Sequence, residues 1–162
     1  MIILGIDPGT TRIGYALLQK NDSGNINLIT YGCLKINKKA QPERLAEISK
    51  LILDLISKYR PQTLAIEKLF FTKNIKTALS VSEARGVIIN CASSNNLNVL
   101  EFTPLEVKLA IAGYGKAEKY QIQKMVYSIL KLNEIPRQDD AADAIAIGLT
   151  ACYTDAKLSN KL

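Results

Sequence analysis

The sequence contains no histidine among its 162 residues. This absence excludes the usual general base of enzymes, and with it the Ser-His-Asp and Cys-His mechanisms. Cysteine is scarce: Cys33, Cys91 and Cys152 lie far apart and lack the spacing of zinc ligands. We expect three free thiols, largely buried, in a reducing cytoplasm. Carboxylates, lysines, hydroxyl groups and any hard cation held by carboxylates remain available for chemistry.

Long apolar runs are also missing. No stretch approaches the roughly 20 apolar residues that a membrane span needs, so we expect no membrane association. The apolar run that starts at Met1 has no basic region before it and leads directly into Asp-Pro-Gly. It therefore predicts a first strand rather than a signal peptide. An apolar fraction of 48% argues against disorder, and the length predicts one domain over residues 1–162.

Positive charge is in excess. The formal net charge is +6 and the isoelectric point is about 9.2. Such a balance favours a polyanionic partner, most simply a nucleic acid. Charge alone is weak support for that partner, because many proteins are mildly basic.

The apolar periodicity and the turn signals predict an α/β fold. Three strands joined by short turns should be antiparallel neighbours, and two later strands reached through helices should run parallel to the first. Strand 1 would then be central, with strand 4 beside it. We predict strands over residues 2–7, 13–19, 26–36, 62–67 and 98–102, and helices over about 42–59, 75–95, 104–113, 117–131 and 139–154. The result is a five-stranded mixed sheet flanked by helices.

Four acidic residues stand at the ends of these predicted elements. Asp7 closes strand 1, Glu67 closes strand 4, and Asp140 and Asp143 open the last helix on one of its faces. Ligands usually bind at the carboxyl edge of parallel strands, where the topology places all four. Asp139 is better suited to capping that helix.

Each acid has an ordinary structural explanation when it is taken alone. Asp7 precedes Pro-Gly and could be a turn residue, Glu67 could simply end a strand, and the Asp pair could be a helix cap. The predicted clustering of all four acids favours a shared role, because clustered carboxylates repel one another unless cations balance their charge. Two divalent cations would do so, and paired ions can activate water against a phosphodiester. Carboxylate oxygens suit Mg²⁺, and Mn²⁺ should substitute for it.

The segment after Glu67 combines two aromatic residues with positive charge. Phe70 and Phe71 are adjacent, and Lys73 and Lys76 follow them. An exposed phenylalanine could stack on bases, although one of the two could belong to the core. Further lysines on the next helices could contact a phosphate backbone or form a solvated face: Lys108, Lys116 and Lys119.

Together these residues carry a resemblance to a known family. The sequence resembles the RuvC family of Holliday-junction resolvases in an ordered set of motifs that spans nearly the whole chain: residues 5–10, 65–67, Phe70, 73–74, 84–86 and 140–144. Each motif alone is modest, whereas the ordered set is specific.

The resemblance implies a ribonuclease-H-like fold and a homodimer that cuts two like-polarity strands of a four-way DNA junction with Mg²⁺. It implies that Asp7, Glu67, Asp140 and Asp143 are the catalytic acids. It also implies that Phe70 engages unstacked DNA and that Lys108 and Lys119 lie near the scissile strand. Some relatives have histidine at the fourth acid position. Relatives also act with the branch-migration proteins RuvA and RuvB in recombination and repair.

Several alternatives remain open at this point. A YqgF-like nuclease or a ribonuclease H would have similar acids. Residues 5–10 also resemble the first phosphate loop of actin-like ATPases and sugar kinases, although those proteins need a second such subdomain. A junction-binding module without catalysis is a third alternative. The helix over 75–95 could form a dimer contact through Gly86, or it could be buried between the sheet and the last helices.

Overall fold

A computed structural model of the chain describes residues 1–69, 75–132 and 139–154. Five strands and five helices occur in these ranges, close to the bounds that the sequence predicts. The strands are β1 (Ile2–Asp7), β2 (Arg12–Lys20), β3 (Ile26–Lys35), β4 (Thr63–Glu67) and β5 (Asn98–Phe102). The helices are α1 (Gln41–Tyr59), α2 (Ile75–Ser94), α3 (Pro104–Ala112), α4 (Lys119–Leu130) and α5 (Asp139–Tyr153).

The strands form one mixed sheet in the order β3-β2-β1-β4-β5. β1 and β2 are antiparallel, as are β2 and β3, whereas β4 runs parallel to β1 and β5 runs parallel to β4. The predicted fold class is therefore confirmed, including the central position of β1.

Both faces of the sheet are buried. Along β1, Ile3 contributes to the core beneath α3, α4 and α5, whereas Leu4 and Ile6 contribute to the core beneath α1 and α2. β4 alternates in the same way, with Ala65 on the first face and Leu64 on the second. Because side chains in a strand alternate between faces, the faces of the strand-ending acids follow from this pattern.

Glycine lets α5 lie directly on β1 and β2. A Cβ atom on Gly5 would overlap the carbonyl oxygen of Ala144 and come within 2.9 Å of the nitrogen of Gly148. A Cβ atom on Gly14 would overlap the carbonyl oxygen of Asp140. The helix backbone therefore touches the sheet without intervening side chains, which is the close approach that glycine permits. This contact fixes the distance between the first turn of α5 and the sheet.

The start of α3 agrees with the predicted capping, whereas the start of α5 differs from it. Thr103 and Glu106 form the predicted capping box at α3: the Glu106 amide donates to Thr103 Oγ1 and the Thr103 amide donates to Glu106 Oε2. Asp139 is the first residue of α5, and its carboxylate accepts hydrogen bonds from Gln123 Nε2 at 3.1 Å and faces Lys119 Nζ at 3.5 Å. This acid therefore joins α4 to α5, because α4 presents two donors to it.

Helix α2 packs against α1 and β5 rather than between the sheet and the last helices. Ala84, Ile88 and Cys91 are buried in the core that α1 covers. The opposite side of α2 is exposed. Among the described residues, no helix is long and apolar enough to cross a membrane.

We predict that Gly14→Ala destabilises the protein by about 1–3 kcal/mol, because the added methyl group forces α5 away from β2. The measurement is the free energy of unfolding in urea at pH 7. Ser57→Ala is the control, because Ser57 is exposed on α1 and alanine favours a helix. Equal stability of the Gly14→Ala variant and the unchanged protein would contradict direct backbone contact.

Candidate active site

Asp7 and Glu67 end neighbouring parallel strands on the same face of the sheet. Ile6 pairs with Ile66 in register, so the two acids occupy the next position on each strand. Asp7 lies two residues beyond Gly5, and Glu67 lies two residues beyond Ala65, so both share the face that α5 covers. Both side chains are partly buried. The strand ends therefore direct two carboxylates towards the first turn of α5.

Helix α5 brings the other two acids, and each has a cationic partner. Asp140 Oδ2 accepts from Arg12 Nε at 2.8 Å, and Cys33 Sγ lies 3.6 Å from the same oxygen. Asp143 Oδ2 accepts from Lys119 Nζ at 2.9 Å. Within the described ranges, Asp7 and Glu67 form no ion pair. The cluster therefore contains four carboxylates and two balancing cations.

Burial, and after it the neighbouring acids, raises the pKa of three of these carboxyl groups. Burial raises the pKa of Asp7 from its ordinary value of 3.8 to about 7, with further contributions from Asp143, Glu67 and Asp140, in that order. Burial and then Asp143 raise the pKa of Glu67. Burial also raises the pKa of Asp143, which the hydrogen bond from Lys119 opposes. Near neutral pH the cluster thus holds a proton that a bound cation would displace.

The donor set fits a hard divalent cation in chemistry and charge. All four acids supply carboxylate oxygens, the ligands of Mg²⁺ and Mn²⁺, and they carry more negative charge than Arg12 and Lys119 balance. In the described part of the chain, however, no three Asp, Glu or Cys side chains are grouped closely enough to hold one ion. Mutual repulsion and the two cationic partners account for this spread. A bound ion would draw the carboxylates together.

A cavity of about 240 Å³ adjoins these acids. Glu67 and Asp143 line it together with Lys108 of α3 and Lys119 of α4. The rest of its lining is apolar: Pro104, Val107, Ile122, Ala146 and Ile147. Two ammonium groups and two carboxylates thus meet around one cavity, which suits a phosphate group bound beside a metal ion.

Of the other predicted DNA contacts, Lys116 is exposed in the turn between α3 and α4 and is not part of the cavity lining. Phe70, Phe71 and Lys73 lie outside the described residues. Lys76 belongs to α2, but its side chain also lies outside the described part.

The family model for the crossover junction endodeoxyribonuclease RuvC matches residues 3–151 of the chain. The chain belongs to the RuvC family. It is 48% identical to RuvC of Halothermothrix orenii over 99% of this chain and 96% of that protein. It is 49% identical to RuvC of Petrotoga mobilis over 99% of this chain and 98% of that protein.

Solved RuvC structures show the same fold. A structure of T. thermophilus RuvC in complex with a Holliday junction substrate is 34% identical, covers 94% of both chains and gives a TM-score of 0.87. The yeast mitochondrial resolvase Ydc2 shares the fold with a TM-score of 0.72, over 98% of this chain and 80% of that chain, at 16% identity. Membership in an endonuclease family decides against the actin-like ATPase, the sugar kinase and the non-catalytic binding module.

Three side chains at this RuvC-type site were not predicted. Arg12 and Cys33 both contact Asp140, and Arg85 Nε donates to the carbonyl oxygen of Glu67 at 2.9 Å. The antiparallel register contains a signal for Cys33, because Gly14 pairs with both Asp7 and Cys33. The spacing of residues 84–86 does not indicate which atom Arg85 binds.

We predict that Asp7→Asn stabilises the metal-free protein at pH 8 by roughly 2–4 kcal/mol. A carboxyl group whose pKa is raised on folding contributes stability at low pH and loses it as pH rises through the folded value, here about 7. The stability that Asp7→Asn gains over the unchanged protein should therefore decrease as the pH is lowered towards 4. Thermal unfolding in a chelating buffer at several pH values measures it.

Saturating Mg²⁺ should stabilise the unchanged protein and not the Asp7→Asn variant. Asp54→Asn, an exposed carboxylate on α1, is the matched control and should show no pH-dependent difference. A variant that is less stable than the unchanged protein at pH 8 would show that Asp7 is not under electrostatic strain.

Proposed function

We propose that this chain is a structure-selective endonuclease that resolves four-way DNA junctions in recombination and repair, by nicking two strands of like polarity. One observation carries the proposal: in a member of the RuvC family, three acids from distant elements lie near enough to Asp7 to raise its pKa, and two of them line a cavity with Lys108 and Lys119. The family consists of metal-dependent nucleases. Because the chain has no histidine, the attacking water needs another group to activate it, and a metal ion can do so.

Asp7, Glu67, Asp140 and Asp143 are the proposed catalytic residues and metal ligands. Mg²⁺, with Mn²⁺ as a substitute, would supply an activated water and a Lewis acid for the leaving oxygen when bound to these acids. Asp7 and Glu67 have no cation of their own among the described residues and would be the first to gain from a metal ion. Arg12 holds Asp140 by one oxygen, Oδ2, and orients that carboxylate.

The charges at the site favour two ions only when DNA is bound. With all four acids ionised, Arg12 and Lys119 leave two negative charges, which one divalent ion balances. A scissile phosphate adds negative charge, and Lys119 could turn from Asp143 towards it. A second ion then becomes favourable on electrostatic grounds.

The proposed DNA surface extends from the acids along α3 and α4. Lys108 and Lys119 line the cavity beside Glu67 and Asp143, so a phosphate that enters it meets two ammonium groups. Lys116 is exposed between these two helices and would contact the backbone farther out. Phe70, Phe71, Lys73 and Lys76 are proposed to contact bases and phosphates near the crossover, on the basis of the family resemblance.

A homodimer is the proposed assembly, with α2 at its twofold contact. The exposed side of α2 forms a stripe with helical spacing: Leu79, Glu83, Gly86 and Asn90. In the described part of the chain, no atom lies within 4 Å of a Cβ atom built at Gly86, so another helix backbone could approach there. A twofold dimer matches a twofold-symmetric junction and would place one site at each cut strand.

We further propose that residues 1–162 act as one nuclease domain, together with a branch-migration complex of the RuvA-RuvB type. The three free cysteines are compatible with a reducing cytoplasm.

We predict that Asp7→Asn reduces junction cleavage by more than about 100-fold and leaves junction affinity within a few-fold, because the metal ion depends on this acid and the phosphate contacts do not. The measurements are nicking of a synthetic four-way junction in Mg²⁺ and binding of the same junction in Ca²⁺.

Asp54→Asn should cleave at the unchanged rate. Linear duplex DNA and an RNA–DNA hybrid serve as substrate controls, and preferential cutting of either would favour a YqgF-like or ribonuclease H activity. Full activity of the Asp7→Asn variant on the junction would refute the assigned site.

We predict that Gly86→Leu weakens the dimer by roughly 10–100-fold, because the new side chain blocks a helix–helix contact at a position where a Cβ atom meets none of the described residues. Analytical ultracentrifugation measures the dissociation constant, and the ratio of paired to single nicks in a cruciform plasmid reports the loss of symmetric cutting.

Asp54→Leu adds the same side chain to an exposed position of α1 and should leave the dimer intact. A Gly86→Leu variant that dimerises as tightly as the unchanged protein would place the contact elsewhere.

A further inference from the structure

Arg85 of α2 connects the helix to two strands of the sheet. Its Nε donates to the carbonyl oxygen of Glu67 at 2.9 Å, and its terminal nitrogen forms an ion pair with the Glu101 carboxylate on β5. The side chain is only 18% exposed, and this burial lowers the pKa of the guanidinium from its usual value. A charge in such a position needs both partners, because an unpaired buried cation is costly.

The peptide group after Glu67 is held from both sides. Its carbonyl oxygen accepts from Arg85, and its amide, that of Lys68, donates to the carbonyl oxygen of Phe102 at 2.8 Å. Glu67 is the last residue of β4, and Glu67 and Phe102 are the last paired residues of β4 and β5. The end of a strand frays when its last backbone N–H and C=O groups lack hydrogen-bond partners. Here Arg85 supplies the partner that the sheet no longer provides.

We propose that Arg85 is a positioning residue that fixes the backbone at Glu67 and so fixes the direction of the Glu67 carboxylate towards Asp7 and Asp143. The proposal rests on the proposed function of Glu67 as a metal ligand. Arg85 is not itself a lining residue of the cavity, and the bonds described for it involve only Glu67 and Glu101. Outer groups of this kind commonly change metal affinity or activity by about 10–100-fold when removed.

The geometry favours arginine over lysine at this position. The guanidinium is planar, so Nε and a terminal nitrogen can donate to two acceptors in different directions at once. A lysine ammonium could reach one of these acceptors but cannot hold both in the same fixed plane. Glu101 supplies the compensating charge and is therefore the second member of the positioning pair.

Arg85 also connects the site to the helix of the proposed dimer contact. It stands next to Gly86, whose exposed face belongs to the stripe on α2. A change in the packing of α2 would therefore act on the Glu67 backbone through a single side chain. Arg85 and the proposed dimer contact at Gly86 are thus adjacent on one helix.

The test compares Arg85→Met, which removes both donors at similar volume, with Arg85→Lys and Glu101→Gln. Mn²⁺ binding to the DNA-free protein, followed by electron paramagnetic resonance, is the main measurement. We expect Arg85→Met to weaken Mn²⁺ binding by about 10-fold or more, and Arg85→Lys and Glu101→Gln to weaken it less. Junction cleavage should fall in the same order, with junction affinity in Ca²⁺ unchanged within about three-fold.

Asp54→Asn is the control. Asp54 is an exposed carboxylate on α1, outside both the site and the α2 stripe. This variant should bind Mn²⁺ and cut junctions like the unchanged protein.

Unchanged Mn²⁺ affinity in Arg85→Met would overturn the proposal, even if the variant lost thermal stability, because a purely structural role predicts that pattern. If Arg85→Met does not fold, Glu101→Gln with unchanged Mn²⁺ affinity would overturn it equally. Failure of the unchanged protein to nick junctions would refute the proposed function, whereas the Mn²⁺ comparison would still decide whether Arg85 positions Glu67.

Discussion

The direct contact between the α5 backbone and the sheet is the constraint on which the rest of the site depends. Gly5, Gly14 and Gly148 remove the side chains that would otherwise separate the helix from β1 and β2. Residues 144–152 are buried throughout, so the helix has no other stable position. Its first turn is thereby carried to the strand ends. Without this contact, Asp7 and Glu67 would be two isolated acids at the edge of an ordinary α/β sheet.

The arrangement of the four carboxylates is electrostatically unfavourable. Four carboxylates are brought together where burial and repulsion raise the pKa of Asp7 to about 7, and the fold supplies only two cations to oppose them. The apolar cores on both faces of the sheet supply the free energy that holds this arrangement together. Strain of this kind is typical of sites that gain their stability from a ligand. A cation bound among these acids would relieve the repulsion between them.

The order and type of every described element followed from periodicity and turn signals. The shared face of Asp7 and Glu67 followed too, because strand parity and parallel register depend only on local sequence and topology. The individual hydrogen bonds and ion pairs of the site did not follow from the sequence. Whether Asp139 caps its helix or accepts from Gln123, and whether Arg85 reaches Glu67, depends on rotamers and on distances between elements far apart in the sequence. Periodicity contains no information about such contacts.

The position of α5 in the chain has a consequence for biosynthesis. Asp140 and Asp143 follow Asp7 by more than 130 residues, and the helix that carries them is the last of the described elements. A ribosome-bound chain can form β1, β2 and β3 early, but two of the four acids of the site are absent until this helix has emerged and docked. The site is therefore assembled only at the end of synthesis, when the last described helix packs on strands that were made first.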